Sequence, residues 1–485
     1  MKTGRKIGLS IGGAVVVLLT ACATLGFTFF HTFYPAPPKS DVPPAADLAA
    51  AQRQDLDYFR NYFALDRAYS PDALASARTL WRETEARAGT LTPAQFELAI
   101  LRMVALSDNG HSQVYKPSLY AANNRIPCRL YRFGDGWYVI RAGEACKALL
   151  GAKVLAIDGQ PVGQVTGRMY EYSLGPHNHY DQYVTPFFLE SPDLLHAAGL
   201  ASNPAALDLR VQLRDGSIHD TNVAAAPPDP KALAAGSDWT GAYSDSQLSP
   251  RRIDGEPADW TPLLRRESKL PLFFDDYANP FHLQWWPDRQ TLYVQFRSNE
   301  DAPGHPIKPF VASVERAIVD DKPRFIVLDL RLDQGGNFTT TAGLMKRIAA
   351  LSPSIEHVYV LTGAWTFSAG NISLALVKQH GGGKVTTIGE PAGDRVRTWA
   401  EGRSLRLPNS KLRIHYATGY EDYSKPCWGH RGCFWVVLFF PTHVQSFDPD
   451  VAVPYTFDDY MNGRDPLLDG ALELAAARPA SGKGS

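Results

Sequence analysis

Two stretches in the last third of the chain each combine an apolar run, a short polar turn and a helical pattern. They are Phe325–Thr340 (FIVLDLRLDQGGNFTT) and Val358–Leu376 (VYVLTGAWTFSAGNISLAL). Consecutive units of this kind pair their strands in parallel through right-handed crossovers. Both turns are therefore predicted at the carboxyl edge of one sheet, where α/β proteins bind ligands. The pattern predicts that N–H groups of Gly335 and Gly336 lie near the hydroxyl of Ser368.

The remaining pattern predicts a multidomain chain. Apolar residues recur at helical spacing from Asp47 to about Leu106, and Thr92-Pro93 predicts the start of one helix. Short alternating strands follow, then a segment rich in Pro, Ala, Ser and Asp, then a long α/β region. The predicted parts are a membrane anchor or lipoprotein signal (1–34), a Pro-rich stalk (35–45), a helical domain (46–111), a β-rich segment (112–225), linker and extended loops (226–279), an α/β core (280–477) and a disordered tail (478–485).

The N-terminus predicts export. Lys2, Arg5 and Lys6 precede Ile7–Phe30, a stretch without a charged residue that is long enough to span a bilayer as a helix. The positive flank predicts that the short N-terminal end stays inside. Leu19–Cys22 (LTAC) resembles a bacterial lipoprotein cleavage box, although the chain stays apolar after it. An uncleaved anchor, a lipid on Cys22 and simple cleavage remain open, and all three place the body outside the cytoplasm.

Composition and cysteine spacing agree with such a compartment. The chain has 485 residues, 45% of them hydrophobic, and a formal net charge of -1, so a nucleic-acid partner is not expected. Cys128 and Cys146 are close in sequence, as are Cys427 and Cys433, and local disulfide pairing is the simplest arrangement. A metal site built on Cys427, His430 and Cys433 is the alternative, which an oxidising compartment disfavours.

A nucleophilic role for Ser368 requires a nearby base. A serine hydroxyl is barely nucleophilic at neutral pH without a base, and histidine is the usual base. His111 stands out among 13 histidines because it lies in a polar turn directly after a helix. The plainer alternatives are that Ser368 or Thr366 only caps a helix, and that His111 is an exposed loop residue.

Five segments together resemble the S41 peptidases, the family of the C-terminal processing proteases and the tricorn core. The family elements are a DLR-x-N-x-GG turn, a T-x-SA-x-E serine turn, IGE, PD-x-x-V and GKDP-x-L-x-x-AL. The corresponding segments are Asp329–Gly336 (DLRLDQGG), Thr366–Asn371 (TFSAGN), Ile388–Glu390 (IGE), Pro449–Val453 (PDVAV) and Gly463–Leu472 (GRDPLLDGAL).

The resemblance implies an α/β fold with a ClpP/crotonase-like core. Tyr138–Gln164, which contains GAKVLAIDGQPV, is similar to a degenerate PDZ module, and Leu106–His111 resembles the turn that supplies the histidine in tricorn-like members. The chain departs from the processing proteases, whose Ser–Lys dyad needs a lysine about 25 residues after the serine. The corresponding segment, Gly389–Arg395, contains no lysine, and Asn371 replaces the usual glutamate. A tricorn-like Ser–His arrangement is therefore expected.

The resemblance also implies the remaining site residues. Gly335, Gly336 and Ala369 are expected to form the oxyanion hole. The acid behind the imidazole is left open, with Glu421 first and Asp394 and Asp422 as the other candidates.

The predicted function is that of an exported, membrane-tethered serine endopeptidase of the bacterial cell envelope, which acts on polypeptides without a metal or organic cofactor. The alternative is a catalytically inactive relative that binds peptides or serves as a scaffold in the envelope. A crotonase-type acyl-CoA enzyme would share the oxyanion geometry, but export would separate it from its CoA substrates.

Overall fold

The computed structural model describes residues 2–175, 178–180, 185–228, 245–253 and 256–479. These residues form the mixed α/β architecture that the sequence predicts: N-terminal helices, an antiparallel β-rich layer and a mostly parallel α/β core. The predicted linker at 226–279 lies partly outside the described residues, and the predicted tail at 478–485 lies mostly outside them.

The N-terminal part is built from helices. Thr92 and Gln95 form a capping box, in which each side chain accepts a hydrogen bond from the other residue's N–H (3.2 and 3.1 Å), and Pro93 follows the cap. The predicted start of this helix is confirmed. The helices are α1 (Lys2–Phe33), α2 (Leu48–Phe59), α3 (Tyr62–Leu65), α4 (Pro71–Ala86) and α5 (Pro93–Ala105).

The Pro-rich segment after α1 runs along the body. The carbonyl of Pro35 accepts a hydrogen bond from the Tyr416 hydroxyl, and the carbonyl of Pro38 accepts one from Tyr58 at 2.6 Å. These two hydrogen bonds hold residues 35–38 of the predicted stalk against the body. Proline carbonyls remain available as acceptors, and nearby tyrosines fasten the segment to the body.

The β-rich layer is an antiparallel sheet with strand order β2-β3-β4-β6-β7, in which β5 also pairs with β4 and β8 with β3. A disulfide joins Cys128 at the start of β2 to Cys146. The elements of this part are β1 (Gln113–Val114), β2 (Cys128–Phe133), β3 (Gly136–Ala142), β4 (Lys153–Ile157), β5 (Gln160–Pro161), β6 (Ala206–Gln212), β7 (Ile218–Ala224), β8 (Thr261–Pro262), α6 (Lys116–Ala122), α7 (Val162–Met169), α8 (Thr185–Glu190) and α9 (Pro192–Ala197).

The core is a six-stranded sheet with strand order β18-β13-β12-β11-β10-β9. All neighbouring pairs are parallel except β9 with β10. The elements are β9 (Phe281–Trp286), β10 (Thr291–Phe296), β11 (Phe325–Asp329), β12 (His357–Thr362), β13 (Val385–Gly389), β14 (Arg397–Ala400), β15 (Arg403–Arg406), β16 (Arg413–Tyr416), β17 (Gly419–Asp422), β18 (Val451–Ala452), α10 (Leu272–Asp275), α11 (Ile307–Asp321), α12 (Ala342–Arg347), α13 (Ala369–Gly381), α14 (Phe457–Met461) and α15 (Pro466–Ala477).

Both faces of this sheet are buried, which explains the nearly continuous apolar strands. In β11, Ile326 and Leu328 pack with the helices α11, α12 and α13, while Phe325 and Val327 point to the opposite face and pack with α15. The turns after β11 and β12 consequently lie side by side at the carboxyl edge of the sheet, as predicted.

A long-range pairing joins the helical part to the core. β1, which begins two residues after His111, pairs antiparallel with β16, so that Gln113 lies opposite His415. His415 Nδ1 also lies 2.7 Å from the backbone carbonyl oxygen of His111. The turn that carries His111 is thereby placed near the carboxyl edge of the core sheet.

Candidate active site

Ser368 occupies a strained turn between β12 and α13. Its backbone has φ 53° and ψ -119°, outside the regions that an L-residue prefers, which costs about 1–3 kcal/mol. Its side chain makes no capping hydrogen bond, and the hydroxyl of Thr366 instead donates to the carbonyl of Leu330 at 2.8 Å. Neither residue therefore caps α13, and the half-buried Ser368 hydroxyl is left for other chemistry.

The glycine turn lies directly against Ser368. Gly335 has φ 113°, and a Cβ atom on it would lie 2.7 Å from the Cβ atom of Ser368. Only glycine permits this approach. The Phe367 N–H also donates to the Asp333 carbonyl at 2.9 Å, so the two turns are bonded through their backbones.

The three predicted oxyanion donors differ in their surroundings. The N–H of Gly335 already donates to Asp333 Oδ1 at 3.1 Å. Within the described residues, the N–H groups of Gly336 and Ala369 have no acceptor, and that of Ala369 lies at the N-terminus of α13. A helix N-terminus favours an anion, so these two groups are the available donors.

Asp333 is a buried carboxylate that the sequence reasoning did not single out. Both of its oxygens lie 2.7 Å from Asn299 Nδ2, and Oδ1 also accepts from Gly335. Burial raises the pKa of Asp333 to about 7, although the hydrogen bonds from Asn299 and Gly335 act in the opposite direction. The available signal was an aspartate two residues before a glycine, a spacing typical of a side-chain turn.

The imidazole of His111 lies against the serine turn. Its ring stacks on Phe367, the residue before Ser368, with 4.5 Å between centroids and 25° between planes. Neither ring nitrogen has a hydrogen-bond partner among the described residues. Burial and, less strongly, His415 lower the pKa of His111 to about 3, against a raising contribution from the Trp399 backbone. The neutral imidazole that results at pH 7 can accept a proton.

Asp394 lies behind this imidazole. Its Oδ2 is 3.8 Å from His111 Nδ1, and the side chain is fully buried. Thr398 Oγ1 donates to Oδ2 at 2.6 Å, and the Arg395 N–H donates to Oδ1 at 2.8 Å. Burial raises the pKa of Asp394 to about 6, while the hydrogen bonds from Thr398 and Arg395 lower it.

Close packing explains the glycine before the histidine. A Cβ atom at Gly110 would lie 2.7 Å from Phe367 Cε2 and 3.0 Å from Asp394 Oδ2. Any larger residue would push the histidine turn away from the serine turn and from the acid.

Asn109 fastens the same turn to β14. Its side-chain amide donates to the Trp399 carbonyl at 3.0 Å and accepts from the Trp399 N–H at 3.0 Å. Asn109 is therefore a structural clamp between the histidine turn and β14.

The other candidate acids have different partners. Glu421 lies opposite Thr398 in the β14–β17 pair, and its carboxylate accepts a hydrogen bond from the Tyr423 hydroxyl. Burial, followed by the nearby Glu401, raises the pKa of Glu421 to about 8. Asp422 accepts from the Ser424 N–H at 2.9 Å. The described contacts thus favour Asp394 over the first-ranked Glu421 as the partner of His111.

The cysteines are paired as the simplest reading predicts. Disulfides join Cys128 to Cys146 and Cys427 to Cys433. The second pair does not form a metal site with His430, because its sulfurs are bonded to each other. Cys22 is a free, exposed thiol on α1.

One described helix is long and apolar enough to cross a membrane. Its qualifying part, Val15–Phe33, has a mean hydropathy of 1.8, and Phe33 at its end is the one buried residue of that span. A membrane anchor and a signal sequence both have this length and hydropathy.

The fold is similar to that of solved protein structures. No protein-family model and no curated protein sequence matches the chain. Mature CPAF is 11% identical with a TM-score of 0.55, over 88% of this chain and 97% of CPAF. CPAF complexed with lactacystin is 11% identical with a TM-score of 0.53, over 88% and 98%. The tricorn protease is 13% identical, over 88% of this chain and 37% of its own, and its TM-score of 0.35 carries no weight. The chain has the fold of mature CPAF.

Proposed function

We propose that this chain is an exported, membrane-tethered serine peptidase of the S41 type that hydrolyses peptide bonds of polypeptide substrates. The observation that carries the proposal is the convergence of three distant segments. Ser368 stands in a strained turn against Gly335, His111 stacks on the residue before it, and Asp394 Oδ2 lies 3.8 Å from His111 Nδ1.

In the proposed reaction, Ser368 Oγ attacks the peptide carbonyl carbon while His111 takes the hydroxyl proton. Asp394 faces Nδ1, so Nδ1 carries the proton of the neutral ring and Nε2 accepts the one from serine. The 3.8 Å separation must shorten by roughly 1 Å to become a hydrogen bond, as catalytic contacts commonly do on substrate binding. The N–H groups of Gly336 and Ala369 stabilise the oxyanion. His111 then returns the proton to the leaving amine, and water hydrolyses the acyl-enzyme.

The proposed location is the bacterial cell envelope, with the body outside the cytoplasm. It is supported by α1, by the basic residues before its apolar part and by two disulfides, which persist in oxidising compartments. Phe33 at the end of α1 is fully buried in the body, which favours an uncleaved anchor or a lipid on Cys22 over cleavage after the apolar stretch.

A catalytically inactive, peptide-binding relative is the second candidate function. The observations that favour it are the engaged N–H of Gly335 and the imidazole of His111, whose nitrogens lack hydrogen bonds within the described residues. In that case the turns at the sheet edge would bind a peptide without cleaving it.

A fluorophosphonate probe separates the two functions because it labels only an activated serine. We expect the wild-type full chain and the control Ser446→Ala, which alters an exposed serine, to be labelled, and Ser368→Ala to remain unlabelled. A folded wild-type protein that takes up no probe would favour the inactive relative. Circular dichroism of each variant supplies the evidence of folding.

A further inference from the structure

An apolar loop after β17 has no part in the proposed chemistry. The Cys427–Cys433 disulfide closes its first half and an apolar run (FWVVLFF) at 434–440 follows, and we call residues 427–440 the aromatic loop. Trp428 is 74% exposed and Phe439 is 75% exposed. Among the exposed large hydrophobic side chains described after residue 45, these two are the most exposed and the only aromatic ones. Two such side chains within one short loop are typical of an interaction surface.

The aromatic loop is continuous with the end of α1. The ring centroid of Phe29 lies 5.8 Å from those of Phe434 and Trp435. Phe33 lies 5.1 Å from Phe434, and its backbone carbonyl accepts a hydrogen bond from Thr418. The apolar helix therefore leaves the body beside this loop.

The charge around the loop suits an anionic surface. Residues 425–447 include no aspartate or glutamate, while Lys425 and Arg431 are exposed. Lys and Arg side chains next to a membrane are attracted to anionic lipids, and tryptophan is enriched at the headgroup level.

The length of the helix agrees with a bilayer surface at the same level. The uncharged stretch Ile7–Phe30 comprises 24 residues. At about 1.5 Å per residue it extends about 36 Å as a helix, enough to cross the roughly 30 Å hydrocarbon core. The stretch ends beside Phe29 and Phe33, where the aromatic loop contacts the helix.

We propose that the aromatic loop rests in the headgroup region of the bilayer that α1 spans, so that the body has two membrane contacts and a defined orientation. The occupant of this surface is an anionic lipid bilayer and not a second protein chain. This inference rests on the membrane tether of the proposed function, and it goes further because a tether alone leaves the body free to rotate and tilt. The bonding of the Pro-rich segment to the body agrees with a body held close to the membrane.

Lipid quenching of single fluorescent labels tests this proposal in the full chain. The background is Cys22→Ser, which removes the free thiol, and NBD is attached at Phe439→Cys in the aromatic loop. Leu19→Cys on α1 reports the tether, and Ile218→Cys on β7, 59% exposed, is the matched apolar control. Each protein is reconstituted in nanodiscs of phosphatidylcholine and phosphatidylglycerol. Some nanodiscs also contain lipids that carry a quencher, either on the headgroup or as a 5-doxyl group on the acyl chain.

We expect blue-shifted emission and doxyl quenching at positions 19 and 439 but not at 218. Quenching at 439 should increase with the phosphatidylglycerol fraction and decrease in Lys425→Glu/Arg431→Glu. Quenching at 19 without quenching at 439 would overturn the loop contact and leave the tether intact. Absence of quenching at both positions would overturn the tether as well. A blue shift at 439 that lipids do not quench would overturn the lipid assignment in favour of a protein partner.

Discussion

The serine turn and the histidine turn meet at one site but are held there by different means. The serine turn follows directly from strand, turn and helix in one parallel unit, and its backbone is bonded to the neighbouring glycine turn. The histidine turn comes from the helical part, more than 250 residues earlier in the chain. It depends on the β1–β16 pair, the Asn109 clamp and the His111–His415 contact.

The core sheet itself positions the serine turn, whereas contacts between distant segments position the histidine turn. A local unit keeps its geometry as long as the sheet is folded, whereas a docked turn can shift without unfolding the core. The nucleophile should therefore tolerate changes in the helical part, while its activation should not.

Among the residues that position His111, the largest effect is expected at the acid behind the imidazole. Asp394→Asn should lower the rate of fluorophosphonate labelling of Ser368 by about 100-fold or more, because an amide cannot stabilise the imidazolium or hold its tautomer. Glu421→Gln, a matched change of a buried carboxylate on the adjacent strand, should change the rate less than about threefold. Labelling reactions quenched at fixed times measure both rates. A larger decrease of the labelling rate in Glu421→Gln than in Asp394→Asn would make Glu421 the acid.

The pH dependence of the same reaction comes next in size. The pKa of Asp394 is raised to about 6 and that of His111 is lowered to about 3, so protonation of Asp394 comes first as the pH falls. The labelling rate should decrease below pH 6, by up to about tenfold per unit for one essential carboxylate. Asp394→Asn should not show this decrease of the labelling rate at low pH. A decrease that persists in the variant would have to be assigned to another titrating group.

Loss of the Asn109 side chain should affect the activation of Ser368 more than it affects the geometry of the serine turn. Asn109→Ala leaves the backbone polar groups of Trp399 unpaired, so we expect a loss of about 1–3 kcal/mol in unfolding free energy and about a tenfold slower labelling rate. Asn123→Ala is the control, because Asn123 is a buried asparagine bonded to Glu97 in the helical part. It should cost stability without slowing labelling. Equal slowing in both variants would contradict a positioning role for Asn109.

At the glycine turn the expected effect is on stability rather than on the activation of Ser368. The pKa of Asp333 is about 7 in the folded chain, above its ordinary value of 3.8, so the folded state binds more protons than the unfolded state between these values. Stability should then fall as the pH rises through that window, by up to about 1.4 kcal/mol per unit. Asp333→Asn should reduce the slope by that amount in chemical denaturation at several pH values. An unchanged slope would show that Asp333 does not titrate there.

The sequence was most informative where structure is local. The pairing of the glycine and serine turns follows from two buried strands with helices behind them, and Thr92 and Pro93 mark a helix start that the structure confirms. His111 was identifiable from its polar turn. Its place beside Phe367 was not, because the β1–β16 register joins residues about 300 positions apart.

The acid and the oxyanion donors show where sequence reasoning ends. Asp394 and Glu421 both follow the serine at plausible distances, and only the loop path after β13 brings one of them to the imidazole. The hydrogen bond from the Gly335 N–H to Asp333 Oδ1 depends on the side-chain rotamer of Asp333, which no spacing rule predicts.

The central claim is that a histidine docked from the helical part activates Ser368, and the labelling rate of His111→Ala tests it most directly. The second-order rate constant of the fluorophosphonate with the folded full chain is compared in wild type and His111→Ala, with the adduct located by peptide mass spectrometry. The account predicts an adduct on Ser368 in the wild type and a rate at least about 1,000-fold lower in the variant. Labelling of Ser368 at the wild-type rate without the imidazole would contradict it.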